Sequence, residues 1–438
     1  MTKADTPVGD EVPARFATGG HDAEAFGAHA GYPKGDRATF RNIELLVGSH
    51  SHLDEIFPAR LIHRAPTPSR LVRITEPKVT YRFQGASLTV DDYLARTPTT
   101  GLLVARGNTI LVERYQYGRT DRHRLTSWSM AKTVTAMLVG IAIAERCIRS
   151  VDDLAATYVP ELAGTEYGRT SLRHLLQMSS GVRFSEEYTG GDDIARLAAT
   201  TYLLRGRGGS TAVRPFNDRA AEAGTRVSYA SAETQVLGLV LRGATDRPVA
   251  EYLQSKVWQE IGTEADASWL IDNSGQEATC MGLNAVLRDY GRLGLLLAHD
   301  GNWEGRQIIP AAWVMDATTV RGANRISAQA QRRRSSATAP DLDPSGRTPD
   351  VHALGHTRAA DLRGSSEQAC HGEHRRPQAA RRSSPVSRIG RALVRARTSA
   401  RRVMDRRAFV TGLERFSPRR APLWSLDSAT YGRAIAPC

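Results

Sequence analysis

The stretch from Leu125 to Ala144, "LTSWSMAKTVTAMLVGIAIA", constrains this chain more than any other. It contains a single charge, Lys132, and its apolar residues Met130, Val134, Met137, Leu138 and Ile141 recur at the spacing of a helix that faces a core. The lysine is therefore predicted to lie in or beside that core. Arginine outnumbers lysine 54 to 5 in the chain, yet this position carries lysine. A desolvated ammonium can release its proton, whereas a guanidinium effectively cannot. Ser129 stands three residues earlier, on the same helix face, close enough for the amine to take its hydroxyl proton. At a helix N-terminus the serine's own N–H would also point to where an oxyanion forms. An S-x-x-K tetrapeptide is common by chance, so the apolar setting and the rest of the chain have to support it.

At 438 residues, 41% hydrophobic and 24% charged, the chain has ordinary globular composition and enough length for two or three domains. No basic segment followed by an apolar run opens it, and the longest apolar stretch, Ala136 to Ala144, is too short to span a membrane. The four cysteines show no C-x-x-C or ligand spacing, so neither zinc nor a disulfide framework is indicated, and a reducing cytoplasm suits them. No metal or cofactor is expected, and nothing in the sequence bears on oligomeric state.

The net charge of +13 belongs to one segment. Residues 321–438 hold 24 arginines, no lysine and 9 acidic residues, whereas residues 1–320 hold 35 basic and 37 acidic groups. A nucleic-acid partner is thus expected only if this tail supplies it. The tail is rich in Ala, Ser and Pro and lacks apolar periodicity outside short pieces near Val394 and Phe409, so it reads as irregular. Residues 1–44, rich in Gly, Ala and charge, read as a mobile N-terminal arm. The folded domain is expected over 45–320.

Inside that domain, "TGLLVARGNTILVERYQYG" (100–118) has two β-type runs flanking Gly107-Asn108 and reads as a hairpin. "SLRHLLQMSSGV" reads as a helix ended by Gly181, and further helices are predicted over Ala232–Gly243 and Asn284–His299. Asp152 and Asp153 read as cap or turn residues, and His174 as a satisfied, partly buried histidine.

The segments "SWSMAKTVTAMLVGIAI", "SVDDLAATYVPEL", "LRHLLQMSSGV", "GTRVSYASAETQVLGLVL" and "MGLNAVLRDYGRLGLLL" together resemble, in order, the serine β-lactamase-like hydrolases. That family includes class C β-lactamases, D-alanyl-D-alanine peptidases, related esterases and, most similar here, the 6-aminohexanoate-dimer hydrolases. The resemblance covers about residues 45–320. It implies an α/β fold, an antiparallel sheet flanked by helices, with a mainly helical region around 160–260. It also implies hydrolysis of a small amide or ester through an acyl-enzyme, with Ser129 as nucleophile, Lys132 as base and Tyr229 as the proton shuttle to the leaving group. Ser231 replaces the asparagine of the family's Y-x-N motif; it reads as substrate-facing or, preferentially, as the N-cap of the helix from Ala232. Tyr188, in "FSEEYTGGDD", resembles a residue of the loop over the acyl pocket, or else packs within its own loop. Asn284, in "MGLN", resembles a polar substrate contact, or caps the following helix.

The family's third motif, K-T-G or H-x-G on a late strand, is not evident. "Gly355-His356-Thr357" and "Cys370-His371-Gly372" carry some of its letters without a strand pattern. Without it the hydrolase would be catalytically impaired and one edge of the sheet would lie unpaired. The abrupt change of composition near Val320 leads to the expectation that the tail is an out-of-frame translation of GC-rich coding DNA. Another reading frame downstream of codon 320 should then encode alternating β-type strands around an H-x-G or K-T-G element. If neither alternative frame does, the tail is a basic extension, to be tested through the salt dependence of its affinity for nucleic acid.

Overall fold

The computed structural model describes residues 12–83 and 85–319, together with the strand Ala408–Leu413. In chain order the strands are β1 (Arg15–Phe16), β2 (Ala59–Ile62), β3 (Val72–Arg73), β4 (Thr80–Phe83), β5 (Ala86–Thr89), β6 (Gly101–Arg106), β7 (Thr109–Tyr115), β8 (Leu125–Thr126), β9 (Ala267–Leu270), β10 (Leu283–Ala285), β11 (Asn302–Trp303), β12 (Arg306–Gln307) and β13 (Ala408–Leu413). The α-helices are α1 (Leu46–His50), α2 (Leu53–Ile56), α3 (Val90–Arg96), α4 (Met130–Ala144), α5 (Leu172–Leu176), α6 (Asp193–Thr201), α7 (Ser231–Thr245), α8 (Val249–Leu253), α9 (Leu287–Ala298) and α10 (Ala311–Thr318).

The predicted hairpin is β6 and β7, turning at Gly107, whose φ of 56° suits a residue without Cβ. It is the centre of a five-stranded sheet in the order β1-β7-β6-β13, with β3 also on β7. β13, β6 and β7 form the expected antiparallel centre, and the two-residue strands β1 and β3 run parallel to β7 at its edge. A second sheet, β2-β9-β10-β8, is antiparallel throughout. Between α4 and β9 the named regular elements are all helices, most of them short, joined by irregular segments.

Two expectations about the ends of the domain are corrected. Residues 12–44 do not form an arm: Phe26, Tyr32 and Phe40 are buried, and β1 pairs with β7. The large aromatic residues Phe26, Tyr32 and Phe40 find pockets in the domain, while Phe16 stays exposed. The tail is not irregular throughout, because β13 pairs with β6 from Ala408↔Arg106 to Leu413↔Gly101 and satisfies the backbone edge expected to lie open. The rest of the tail, with both third-motif fragments, lies outside the described residues. Asp152 and Asp153 serve as turn anchors, Asp152 holding Arg173 at 2.7 Å and Asp153 accepting from the Tyr158 hydroxyl at 2.6 Å.

α4 is apolar around nearly its whole circumference because it runs through the core. α7 packs against it. On α7 the buried Glu233 accepts from the Ser180 hydroxyl at 2.6 Å, and burial pushes its carboxyl up to about 8 from 4.5. Because the folded state holds this proton more tightly than the unfolded chain, stability contributed at low pH should be lost as pH rises from about 4.5 to 8. Glu233→Gln should flatten that pH dependence, an effect on the order of a few kcal/mol, in urea unfolding at several pH values. An unaltered slope would show that Glu233 ionises freely in the folded protein.

Candidate active site

Ser129 reaches its position through a short, well-fastened lead. β8 pairs with β10, and the Ser127 N–H then donates to the Leu283 carbonyl at 2.7 Å. The Tyr290 hydroxyl, on α9, donates to the carbonyls of Leu125 and Leu283 and locks the two strands together. Trp128 takes a φ of 41°, a left-handed conformation that costs a bulky residue energy and turns the chain abruptly into α4. Ser129 stands at the N-cap position of α4, half-buried.

Lys132, one turn on, is buried to 2% exposure. Its ammonium donates to Ser129 Oγ at 3.0 Å and to the Cys280 carbonyl at 2.8 Å, and lies 5.1 Å from the centre of the Tyr229 ring. The Tyr229 hydroxyl donates to Ser129 Oγ at 2.8 Å. Three residues separated by up to 100 positions thus meet at one oxygen.

The segment that carries this carbonyl is fixed from two helices. Thr135, on α4, donates to the Thr279 carbonyl at 3.0 Å. Gln235, on α7, donates to the Glu277 carbonyl at 2.9 Å and accepts from the Thr279 N–H at 3.0 Å. Burial pushes the Cys280 thiol up to about 11, so it stays protonated and does not compete as a nucleophile.

Burial alone would lower the pKa of Lys132, but Tyr229, Cys280 and Glu186 outweigh it and the net shift is upward. Burial also raises the Tyr229 phenol, against the lowering effect of Lys132. At neutral pH the pair is therefore ammonium and phenol, two donors aimed at Ser129 Oγ. To take the serine's proton the pair must first lose one, which it does as a coupled unit.

Ser231 and Tyr188 line the same cleft as Ser129 and Lys132, an opening of about 610 Å³ measured out to its mouth. Ser231 is the first residue of α7, not its N-cap, which is Ala230. Its hydroxyl and N–H both donate to Glu186, each at 2.8 Å, and the Tyr188 hydroxyl donates to Glu186 Oε1 at 2.7 Å. Tyr188 is 43% exposed with a φ of 57°, on a loop clasped by hydrogen bonds from Glu187 and Ser185 to Asp192 and Asp193. Asn284 does not reach the cleft. It is buried in β10, where its amide donates to the Gly282 carbonyl at 3.0 Å and to Ser268 Oγ at 3.2 Å, and the N-cap of α9 is Val286.

Glu186, Arg41 and Tyr202 were missed from sequence although all three line the cleft. Glu186 sits in the acidic "SEE" run beside Tyr188, and its charge in a loop over a pocket was the available signal. Arg41 lies in the segment taken for an arm, where no local pattern marks it.

A serine beside an ammonium and a phenol, at the N-terminus of a core helix, is an arrangement whose chemistry suits acyl transfer. The model for the family described as Beta-lactamase matches residues 87–361, and the chain belongs to that family. It is a serine hydrolase. The chain is 27% identical over 314 residues to the 6-aminohexanoate-dimer hydrolase of Paenarthrobacter ureafaciens, covering 68% of this chain and 76% of the relative. A solved structure from Bacillus anthracis, bearing a provisional 6-aminohexanoate-dimer hydrolase name, superposes with a TM-score of 0.59 at 23% identity, covering 65% of this chain and 77% of that one. No helix among the described residues is long and apolar enough to cross a membrane, and no group of three or more metal-ligating side chains occurs among them.

The upward shift of Lys132 and Tyr229 predicts that kcat/KM for a neutral ester rises with pH on the alkaline side, by about tenfold per pH unit while the pair holds its extra proton. A stopped-flow or plate-reader pH profile checks this. A flat profile between about pH 7 and 9 would mean that the pair is already deprotonated at neutrality.

Proposed function

We propose that the cleft cleaves a small linear amide or ester by acyl transfer to Ser129. The observation that carries this reading is the convergence of Lys132 Nζ at 3.0 Å and the Tyr229 hydroxyl at 2.8 Å on Ser129 Oγ. In the reactive, singly deprotonated form, the Lys132–Tyr229 pair takes the hydroxyl proton as Oγ attacks the carbonyl carbon. The same proton then passes through the Tyr229 oxygen to the leaving amine or alkoxide, and water repeats the sequence on the acyl-enzyme.

The physical need for two groups follows from geometry. The lysine is buried and held by the Cys280 carbonyl, whereas the half-buried Tyr229 is the more exposed of the two donors at Ser129 Oγ. A leaving group in the cleft needs its proton from the group that faces it. Tyr188 and Ser231, tied together by Glu186, would bound the acyl site, and the substrate reading is an aminohexanoate-type amide such as the one named for the Paenarthrobacter relative.

Fluorophosphonate labelling followed by peptide mapping tests the nucleophile. One adduct on the Ser129 peptide, lost in Ser129→Ala, is the expected result; a label elsewhere, or none, contradicts it. Tyr229→Phe removes only the hydroxyl and should lower kcat by roughly 10²- to 10⁴-fold on an accepted ester. A loss below about threefold would limit Tyr229 to packing. Lys132→Arg keeps a positive charge that cannot be given up and should abolish labelling while the fold, followed by circular dichroism, persists.

A further inference from the structure

Most of the charged and hydroxyl groups around Ser129 in the cleft are occupied by one another. Glu186 accepts from Ser231 twice and from Tyr188 once, which leaves little of a carboxylate's capacity unused. Lys132 and Tyr229 are engaged with Ser129. Arg41 lines the same cleft, and its guanidinium offers five N–H donors. Among the described residues its hydrogen bonding is limited to the Tyr202 hydroxyl, and no carboxylate there pairs with it.

This guanidinium is held in place. It lies over the Phe40 ring at 5.3 Å and over the Trp128 ring at 5.8 Å. Phe40 is anchored edge-to-face on Phe57 and Tyr202, at 5.1 and 6.4 Å between ring centres, and Tyr202 on Phe57 at 5.7 Å. The aromatic trio therefore fixes both the backbone that carries Arg41 and the hydroxyl it bonds. Ile194, Leu197 and Ala198 of α6 and Met281 give the same cleft an apolar wall. A planar cation among rings, near the reactive serine and with spare donors, is suited to a carboxylate, which can take two parallel N–H bonds.

We propose that Arg41, backed by Tyr202, binds a carboxylate that the substrate carries apart from its scissile carbonyl. The enzyme would then select acyl compounds with a free carboxylate over neutral ones. This rests on the acyl-transfer reading of the Ser129 site, and it makes the N-terminal segment a part of the substrate pocket.

Two esters test the selectivity: mono(4-nitrophenyl) glutarate, which has a free carboxylate, and the neutral 4-nitrophenyl butyrate. In the full-length protein, Arg41→Gln should lower the glutarate-to-butyrate ratio of kcat/KM by about tenfold to hundredfold, mainly through KM, and Arg41→Lys should retain part of the preference. A ratio unchanged by Arg41→Gln overturns the proposal. Binding provides a readout that needs no turnover: by calorimetry the Ser129→Ala protein should bind glutarate and not glutaramide, and Ser129→Ala/Arg41→Gln should bind neither. Absence of glutarate binding to Ser129→Ala also overturns the proposal. If glutarate binds as stated while neither ester acylates Ser129, the acyl-transfer reading fails and the carboxylate site stands; if both esters are cleaved with a ratio indifferent to Arg41, the reverse holds.

Discussion

The structure is organised around one expensive object, a lysine ammonium at 2% exposure in the first turn of a core helix. A buried charge is tolerated only when its hydrogens have acceptors, since the loss of water would otherwise outweigh anything the surrounding packing supplies. The Cys280 carbonyl and Ser129 Oγ provide two of them, and the Tyr229 ring stands over the charge. Each partner comes from a different part of the chain, so α4, the 277–281 segment and the start of α7 must dock in register before Lys132 is satisfied. Thr135 and Gln235, which fasten the 277–281 segment from the two helices, enforce that docking.

The same requirement links stability with chemistry. An ammonium fixed between a serine oxygen, a carbonyl and a phenol needs no rearrangement to exchange a proton with that serine once the pair has lost one. The strained turn at Trp128 belongs to this economy: it delivers Ser129 to the head of α4 at the cost of an unfavourable φ, and the pairing of Leu125 with Ala285 and the Ser127–Leu283 hydrogen bond hold it there. Glu186 performs a comparable service on the opposite wall, gathering Ser231 and Tyr188 onto one carboxylate.

Much of this was legible in the sequence where local pattern and chemistry coincide. The lone charge in an apolar helical run pointed to a buried lysine, and two β-runs around Gly107 pointed to the hairpin. Other features depend on contacts distant in sequence and could not be read locally. Asn284 follows a helix-like pattern in "NAVLRDYGRL", yet its backbone is taken into β10 by pairing with Thr126 and Ser268, which turns its side chain into the sheet. Arg41 sits in a Gly- and charge-rich stretch that looks unstructured until Phe40 finds Phe57 and Tyr202. Ser231 seemed a natural cap, but Glu186, 45 positions away, claims its hydroxyl.

The chain's five lysines make its electrostatic centre directly measurable. In a protein labelled with ¹³C-ε-lysine, the Lys132 resonance, assigned by its loss in Lys132→Arg, can be followed against pH. The account predicts that it stays in the ammonium form through neutrality and titrates above the ordinary lysine value of 10.5, and that Tyr229→Phe moves the midpoint downward. A midpoint below 10.5 in the unmodified protein would show that burial outweighs its partners and that Lys132 rests as the free amine.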